Sequence, residues 1–171
     1  MTVGMVAPSR MGITRLLIAA FTAMFSGVCS AEIVGHASVI DGDTIEIHGQ
    51  RIRLHGVDAP EKGQSCLDAA NQPYRCGQKA ALALDEFIGQ SPVSCRERDV
   101  DRYGRTVADC RVRGEDIELW LVKSGHASAY RRYSSDYIGA EQDAKNNHRG
   151  IWAGYTEAPW EWRKAQRSAV R

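Results

Sequence analysis

Five side chains have the types and positions to act together on a phosphate: Asp43, Asp58 and Glu61 with Arg53 and Arg105. Asp43 begins an alternating segment and Val57-Asp58-Ala59-Pro60-Glu61 leaves the next one, so antiparallel pairing through a turn at Gly49 brings Asp43 and Asp58 to one end of a sheet. Two carboxylates there call for a cation. Oxygen donors with no imidazole or thiolate among them favour calcium or magnesium over zinc or copper. Arg53 projects from the strand that delivers Asp58, and Arg105 closes the Tyr103-Gly104-Arg105 turn. Guanidinium forks match phosphate oxygens in pairs. A hard cation, two forks and a spare carboxylate are the parts needed to cleave a phosphodiester. The positive groups stabilise charge on five-coordinate phosphorus, and the carboxylate positions or deprotonates water. Taken singly, each residue has a plainer role in a turn or on a solvated hairpin. Turn chemistry, however, has no need of arginine at both 53 and 105.

The elements that must position these groups belong to one ordinary globular domain. The chain has 171 residues, 43% hydrophobic and 25% charged, which excludes disordered, collagen-like and coiled-coil classes. Its 22 basic and 21 acidic residues nearly cancel, so a polyanion must be gripped by a local arginine cluster and not by the field of the whole molecule. Residues 1–31 stand apart: Arg10 and Arg15 are their only charges, and the apolar run Leu16 to Val28 ends in Cys29-Ser30-Ala31. This pattern predicts a cleaved secretory signal, with an uncleaved anchor as the alternative. Residues 32–171 then form a single domain of 140 residues, secreted or periplasmic, with no stable membrane association after cleavage. Four cysteines remain in it, and an exported chain oxidises them by default. Cys66 and Cys76 bracket a short loop, while Cys95 and Cys110 flank the turn at residues 101–105 as cross-strand partners would. The expected pairs are 66–76 and 95–110. No C-x-x-C pair exists and the five histidines are scattered, which argues against zinc.

Thr44 to His48 alternates polar and apolar, Gly49-Gln50 turns, and Arg51 to Val57 alternates again, giving a meander with Ile45, Ile47, Ile52, Leu54 and Val57 buried. Gly77 to Ile88 carries a helical apolar stripe ended by Gly89. Pro92 to Cys95 and Thr106 to Val112 read as strands, and Ile117 to Ser124 as a short helix closed by Gly125. A last helix is expected over about Asp136 to His148, capped by Ser134 or Ser135, followed by a Trp-rich tail lying back over the core. The expected class is α+β, mainly β: a five-stranded oligonucleotide-binding (OB) barrel with about three packed helices.

Three segments, Val39-Ile40-Asp41-Gly42-Asp43-Thr44, Arg53-Leu54-His55-Gly56-Val57-Asp58-Ala59-Pro60-Glu61 and Asp101-Arg102-Tyr103-Gly104-Arg105, resemble the three blocks of the thermonuclease, or staphylococcal nuclease-like, family. The similarity runs on through Leu121 to Ala127 and Gly150-Ile151-Trp152, in the family's order over roughly residues 36–153. It implies the OB barrel and calcium-dependent hydrolysis of DNA and RNA with little sequence preference, leaving 3′-phosphates. Position by position, it assigns Asp43, Asp58 and the backbone carbonyl of Ala59 to calcium. Glu61 falls to the attacking water, Arg53 and Arg105 to the phosphate, and Tyr103 and Tyr130 to the substrate. Tyr130-Arg131-Arg132-Tyr133 departs from the familiar spacing, and Ala59 stands where a threonine is usual. Single-stranded substrate and a monomeric state are expected. The main alternative is an OB module that binds nucleic acid or protein without cutting, and another is the same machinery acting on a small nucleotide or a surface glycopolymer. His55 and His126 have structural roles in this reading, and the four tryptophans pack.

Overall fold

The computed structural model describes residues 1, 2, 4 and 32–169. The segment read as a secretory signal falls almost wholly outside the described residues. Among those residues, no helix is long and apolar enough to cross a membrane.

The strands are β1 (Glu32–Gly35), β2 (Ala37–Asp41), β3 (Thr44–Ile47), β4 (Gln50–Leu54), β5 (Val57–Asp58), β6 (Cys66–Leu67), β7 (Pro73–Tyr74), β8 (Val93–Val100), β9 (Thr106–Val112), β10 (Glu115–Asp116) and β11 (Ser128–Ala129). The helices are α1 (Cys76–Ile88), α2 (Ile117–Lys123), α3 (Ile138–Asn146) and α4 (Pro159–Ala169), with a 3-10 turn at Gly150–Trp152. A curled mixed sheet runs β1-β8-β9-β4-β3-β2, with β10 on β9. The fold is α+β and mainly β, of the OB-like kind.

Period-two burial builds the meander: Ile45, Ile47, Ile52, Leu54 and Val57 are all buried. The β3–β4 hairpin turns on His48-Gly49, both with positive φ, and Gln50 is already paired with Ile47 in β4. The turn thus lies one residue earlier than the sequence suggests, because two consecutive left-handed residues match the twist of the strands. β4 and β9 run parallel, which requires a long crossover. That crossover contains β5, the Pro60–Glu61 loop and α1. Helix α1 buries Ala80, Leu84 and Ile88 against the sheet, and Phe87 stacks on Trp120 of α2 with ring centroids 4.0 Å apart. β8 extends to Val100 through a bulge at Glu97/Asp99, well past the Cys95 end expected of it.

Both disulfides pair as expected. Cys95 and Cys110 face each other directly across β8 and β9, and Cys66 joins Cys76 at the start of α1.

Helix α3 begins at Ile138, and its N-cap residue, Tyr137, makes no side-chain cap. Ser134 instead accepts the Asp136 amide in the turn before it, which displaces the expected capping role. The tail is a further helix, α4, with proline at its first position. It buries little beyond Pro159.

Candidate active site

The β2–β3 turn is pressed onto the 58–60 segment. A Cβ on Gly42 would lie 2.7 Å from the Ala59 methyl and 2.9 Å from that of Ala80, so only glycine allows this approach. Asp43 is thereby buried beside Asp58. Its Oδ2 accepts the Ala59 amide at 3.0 Å, and its Oδ1 accepts Thr44 Oγ1 at 3.2 Å and Arg53 Nη1 at 2.8 Å. The other arm of the same guanidinium, Nη2, donates to Asp58 Oδ1 at 2.8 Å. Asp58 is fully buried, held by the pairing of β5 with β11. Burial, together with the neighbouring Asp58, pushes the Asp43 carboxyl above its ordinary range despite Arg53. Burial and then Asp43 push Asp41 up to about 6. Burial alone would depress the Arg53 guanidinium, but Asp43 and Asp58 raise it, so it stays charged.

Glu61 sits in a braced loop. Its amide donates to Gln64 Oε1 at 3.2 Å, the Gln64 amide returns a bond to the Glu61 carbonyl at 2.7 Å, and Gln64 Nε2 donates to the Glu157 carbonyl at 2.7 Å. The second residue of α1 packs directly beneath, where a Cβ on Gly77 would fall 1.8 Å from the Glu61 carbonyl oxygen.

Arg105 approaches from the β8–β9 turn. Asp101 accepts the Tyr103 and Arg105 amides at 2.9 and 3.0 Å and binds the Arg105 guanidinium through Nε (2.8 Å) and Nη2 (2.7 Å). Partial burial works to raise Asp101, but these bonds outweigh it and leave the carboxyl below its usual range. Asp101 is therefore an anionic splint for the whole turn. Tyr103 is 70% exposed, with the Arg105 guanidinium 5.6 Å from its ring centre.

A groove of about 840 Å³ collects Asp43, Arg53, Glu61, Tyr103, Arg105 and Tyr130 along its walls, with Asp58 buried beneath Arg53. Tyr130 is less free than Tyr103: Trp160 of α4 lies parallel to its ring at 5.9 Å, and Tyr133 meets it edge-on at 4.9 Å. Ala59 contributes its amide to Asp43.

Three contributors escaped the sequence reading. Gln64 and Gly77 brace Glu61. Arg163 of α4 donates through Nη1 and Nη2 to the two oxygens of Asp58, at 3.0 and 2.9 Å, and through Nη1 to Glu61 Oε1 at 2.6 Å. Burial would lower this guanidinium, but Asp58 and Glu61 hold it well above its ordinary range. The available signal was helical spacing: Trp160, Arg163 and Arg167 share one face behind a proline start. Among the described residues no three His, Cys, Asp or Glu side chains converge as a ready-made metal centre. The carboxylates are instead interleaved with guanidiniums.

Carboxylates and guanidiniums sharing one groove of an OB-like sheet are what a phosphodiesterase of the nuclease class would use. The chain belongs to the family described as "Staphylococcal nuclease homologue", whose model matches residues 51–154. It is 48% identical over 128 residues to the succinoglycan biosynthesis protein ExoI of Rhizobium meliloti, covering 73% of this chain and 67% of that one. It is 35% identical over 130 residues to the probable staphylococcal-like nuclease CAN3 of rice, covering 74% of this chain but only 32% of that longer protein. With the micrococcal nuclease of Shigella flexneri it shares 29% identity over 181 residues, 95% of this chain and 98% of that one. The protein is a nuclease of this family.

Proposed function

We propose that this nuclease is an exported, monomeric, calcium-dependent phosphodiesterase that cuts DNA and RNA with little sequence preference, favours single strands and leaves 3′-phosphates. One observation carries the reading: Arg53 bridges Asp43 and Asp58, and Glu61 and Arg105 share the same groove. The donor set suits a hard divalent cation. Asp43 and Asp58 offer carboxylate oxygens only, the Ala59 carbonyl needs no particular side chain, and a guanidinium already stands against Asp58 as a cationic partner. A bound calcium ion would supply fixed positive charge against the phosphate oxygens as negative charge builds on them.

The chain's own residues divide the remaining work. Arg53 and Arg105 would meet phosphate oxygens through the N–H groups that Asp43, Asp58 and Asp101 leave unused, and Asp101 fixes the direction of Arg105 by holding its Nε–Nη2 edge. Glu61, fixed through its backbone by Gln64, orients water and accepts its proton. Water adds to phosphorus and the bond to the 5′ oxygen breaks, that oxygen taking a proton from solvent to leave as a hydroxyl, so the phosphate stays on the 3′ side. Tyr103 offers an open aromatic face to an unpaired base. The two disulfides support export to an oxidising compartment.

The test is cleavage of single-stranded DNA, duplex DNA and RNA with calcium, with magnesium and with excess chelator, with product ends read by mass spectrometry. Calcium-dependent cutting to 3′-phosphates is expected, with Arg53→Ala slower by about 10²-fold. Undiminished cutting in chelator overturns the metal assignment. A relative named for succinoglycan biosynthesis is the ground for a second reading, in which the same machinery acts on a phosphoester of a surface glycopolymer. That reading gains if such a polymer is cut faster than single-stranded DNA.

A further inference from the structure

Arg163 is the best-connected guanidinium of the site and comes from its most lightly held element. Asp58 receives three guanidinium bonds: Oδ1 from Arg53 and Arg163, and Oδ2 from Arg163. Arg163 also reaches Glu61, tying the buried carboxylate to the one assigned to water. The remaining ties of α4 are few. Trp160 lies over Tyr130, the Glu157 carbonyl before the helix accepts from Gln64, and Pro159 is its one buried residue. The outer face carries exposed Glu161, Lys164 and Gln166. Such a short polar helix depends on tertiary contacts to persist, and here the strongest are the ion pairs of Arg163.

We propose that Arg163 is a built-in competitor of the divalent cation, holding Asp58 and Glu61 until the cation displaces it and frees α4 from the groove. This rests on the reading that Asp58 ligates a divalent cation. Both oxygens of Asp58 are already taken, and among the described residues Oδ2 is held by Arg163 alone. A cation that takes Oδ2 must evict that guanidinium, and the close positive charges repel each other in a poorly solvated site. Leaving Asp58 buried with too little counter-charge would be costly, so Arg163 keeps the cation-free protein folded. The same bond taxes cation binding: apparent affinity falls by the fraction of molecules in which Arg163 is undocked. The residue therefore sets the cation concentration at which the nuclease becomes competent. Trp160 withdraws from Tyr130 in the same motion, uncovering a face for a nucleobase.

Calorimetric titration of the full chain with calcium alone, without nucleic acid, tests this. Arg163→Met is expected to bind calcium about tenfold or more tightly. Trp160→Ala, which loosens α4 without touching a carboxylate, is expected to bind more tightly than wild type but less so than Arg163→Met. Equal or weaker binding by Arg163→Met, with binding lost in Asp58→Asn, overturns the competitor role and leaves the metal site standing. Binding that survives Asp58→Asn unchanged overturns the metal assignment and the proposal with it. Hydrogen exchange on wild type removes dependence on how the variants fold: amides of α4 are expected to exchange faster with saturating calcium, and slower or unchanged exchange refutes the release.

Discussion

Replacing Gly77 with alanine should cripple the enzyme while leaving it folded. Gly77 lies in α1 and has no positive φ, so helix propensity alone would have alanine stabilise the helix by about 0.5–1 kcal/mol. Contact geometry reverses that sign. The added Cβ would stand 1.8 Å from the Glu61 carbonyl oxygen, 2.4 Å from its carbon and 2.8 Å from the Pro60 oxygen, all backbone atoms. Restoring ordinary contact requires the loop or the helix to retreat by about 1.5 Å. Overpacking on this scale costs about 1–3 kcal/mol, and the displaced element carries the carboxylate assigned to water. A misplacement near 1 Å costs about 10²-fold in rate, so kcat on single-stranded DNA at saturating calcium should fall by that order. Leu84→Ala on the same helix is the control. It loses about 2–5 kcal/mol by leaving a cavity, yet leaves the Glu61 contact untouched, and should retain its kcat well below its melting temperature. If Gly77→Ala is folded and cuts at the wild-type rate, α1 does not position Glu61.

Glu118 is fully buried and accepts the Cys110 amide with both oxygens, at 3.0 and 3.2 Å, and burial raises its carboxyl well above the ordinary range. A group whose folded value is raised contributes stability present below its unfolded pKa and lost as pH rises through the folded one. Glu118→Gln keeps an acceptor without the charge, so its stability relative to wild type should grow as pH rises above the ordinary glutamate range in urea melts; a pH-independent difference would refute this. Opening the Cys95–Cys110 bridge with a double alanine variant frees a separation of 15 residues and should cost about 3 kcal/mol by denaturant titration. A loss well under about 1 kcal/mol would mean that the hairpin needs no such tie.

The barrel was legible because its strands obey a period that water enforces. Ile45, Ile47, Ile52 and Leu54 have one face to hide on, and a slip by one residue would expose them all. The cross-strand cysteines were legible for a related reason: their spacing about the 101–105 turn matches the antiparallel register. The brace beneath Glu61 was not. Gly77 reads as an indifferent helix residue until the Pro60–Glu61 backbone is seen lying against it, and Gln64 is an ordinary loop amide until it is found buried and bonded on both sides. Contacts of this kind join segments whose separation carries no periodic signal.

Helix α4 shows the same limit in its electrostatic form. An arginine on a polar helix has the same sequence signature whether it meets water or a carboxylate, so helical spacing puts Arg163 and Arg167 on one face without saying which of them meets Asp58. Charge balance could have raised the question. Asp43, Asp58 and Glu61 bring three negative charges to one place, Arg53 pairs with only two of them, and Arg105 is committed to Asp101. A fully buried Asp58 sharing one guanidinium with Asp43 is short of counter-charge, and without bound metal the fold must find it elsewhere in the chain. The tail is where it is found. The features that make the carboxylate cluster a good seat for a divalent cation also make it a good seat for an arginine, which is why docking of α4 and loading of the site draw on the same oxygens.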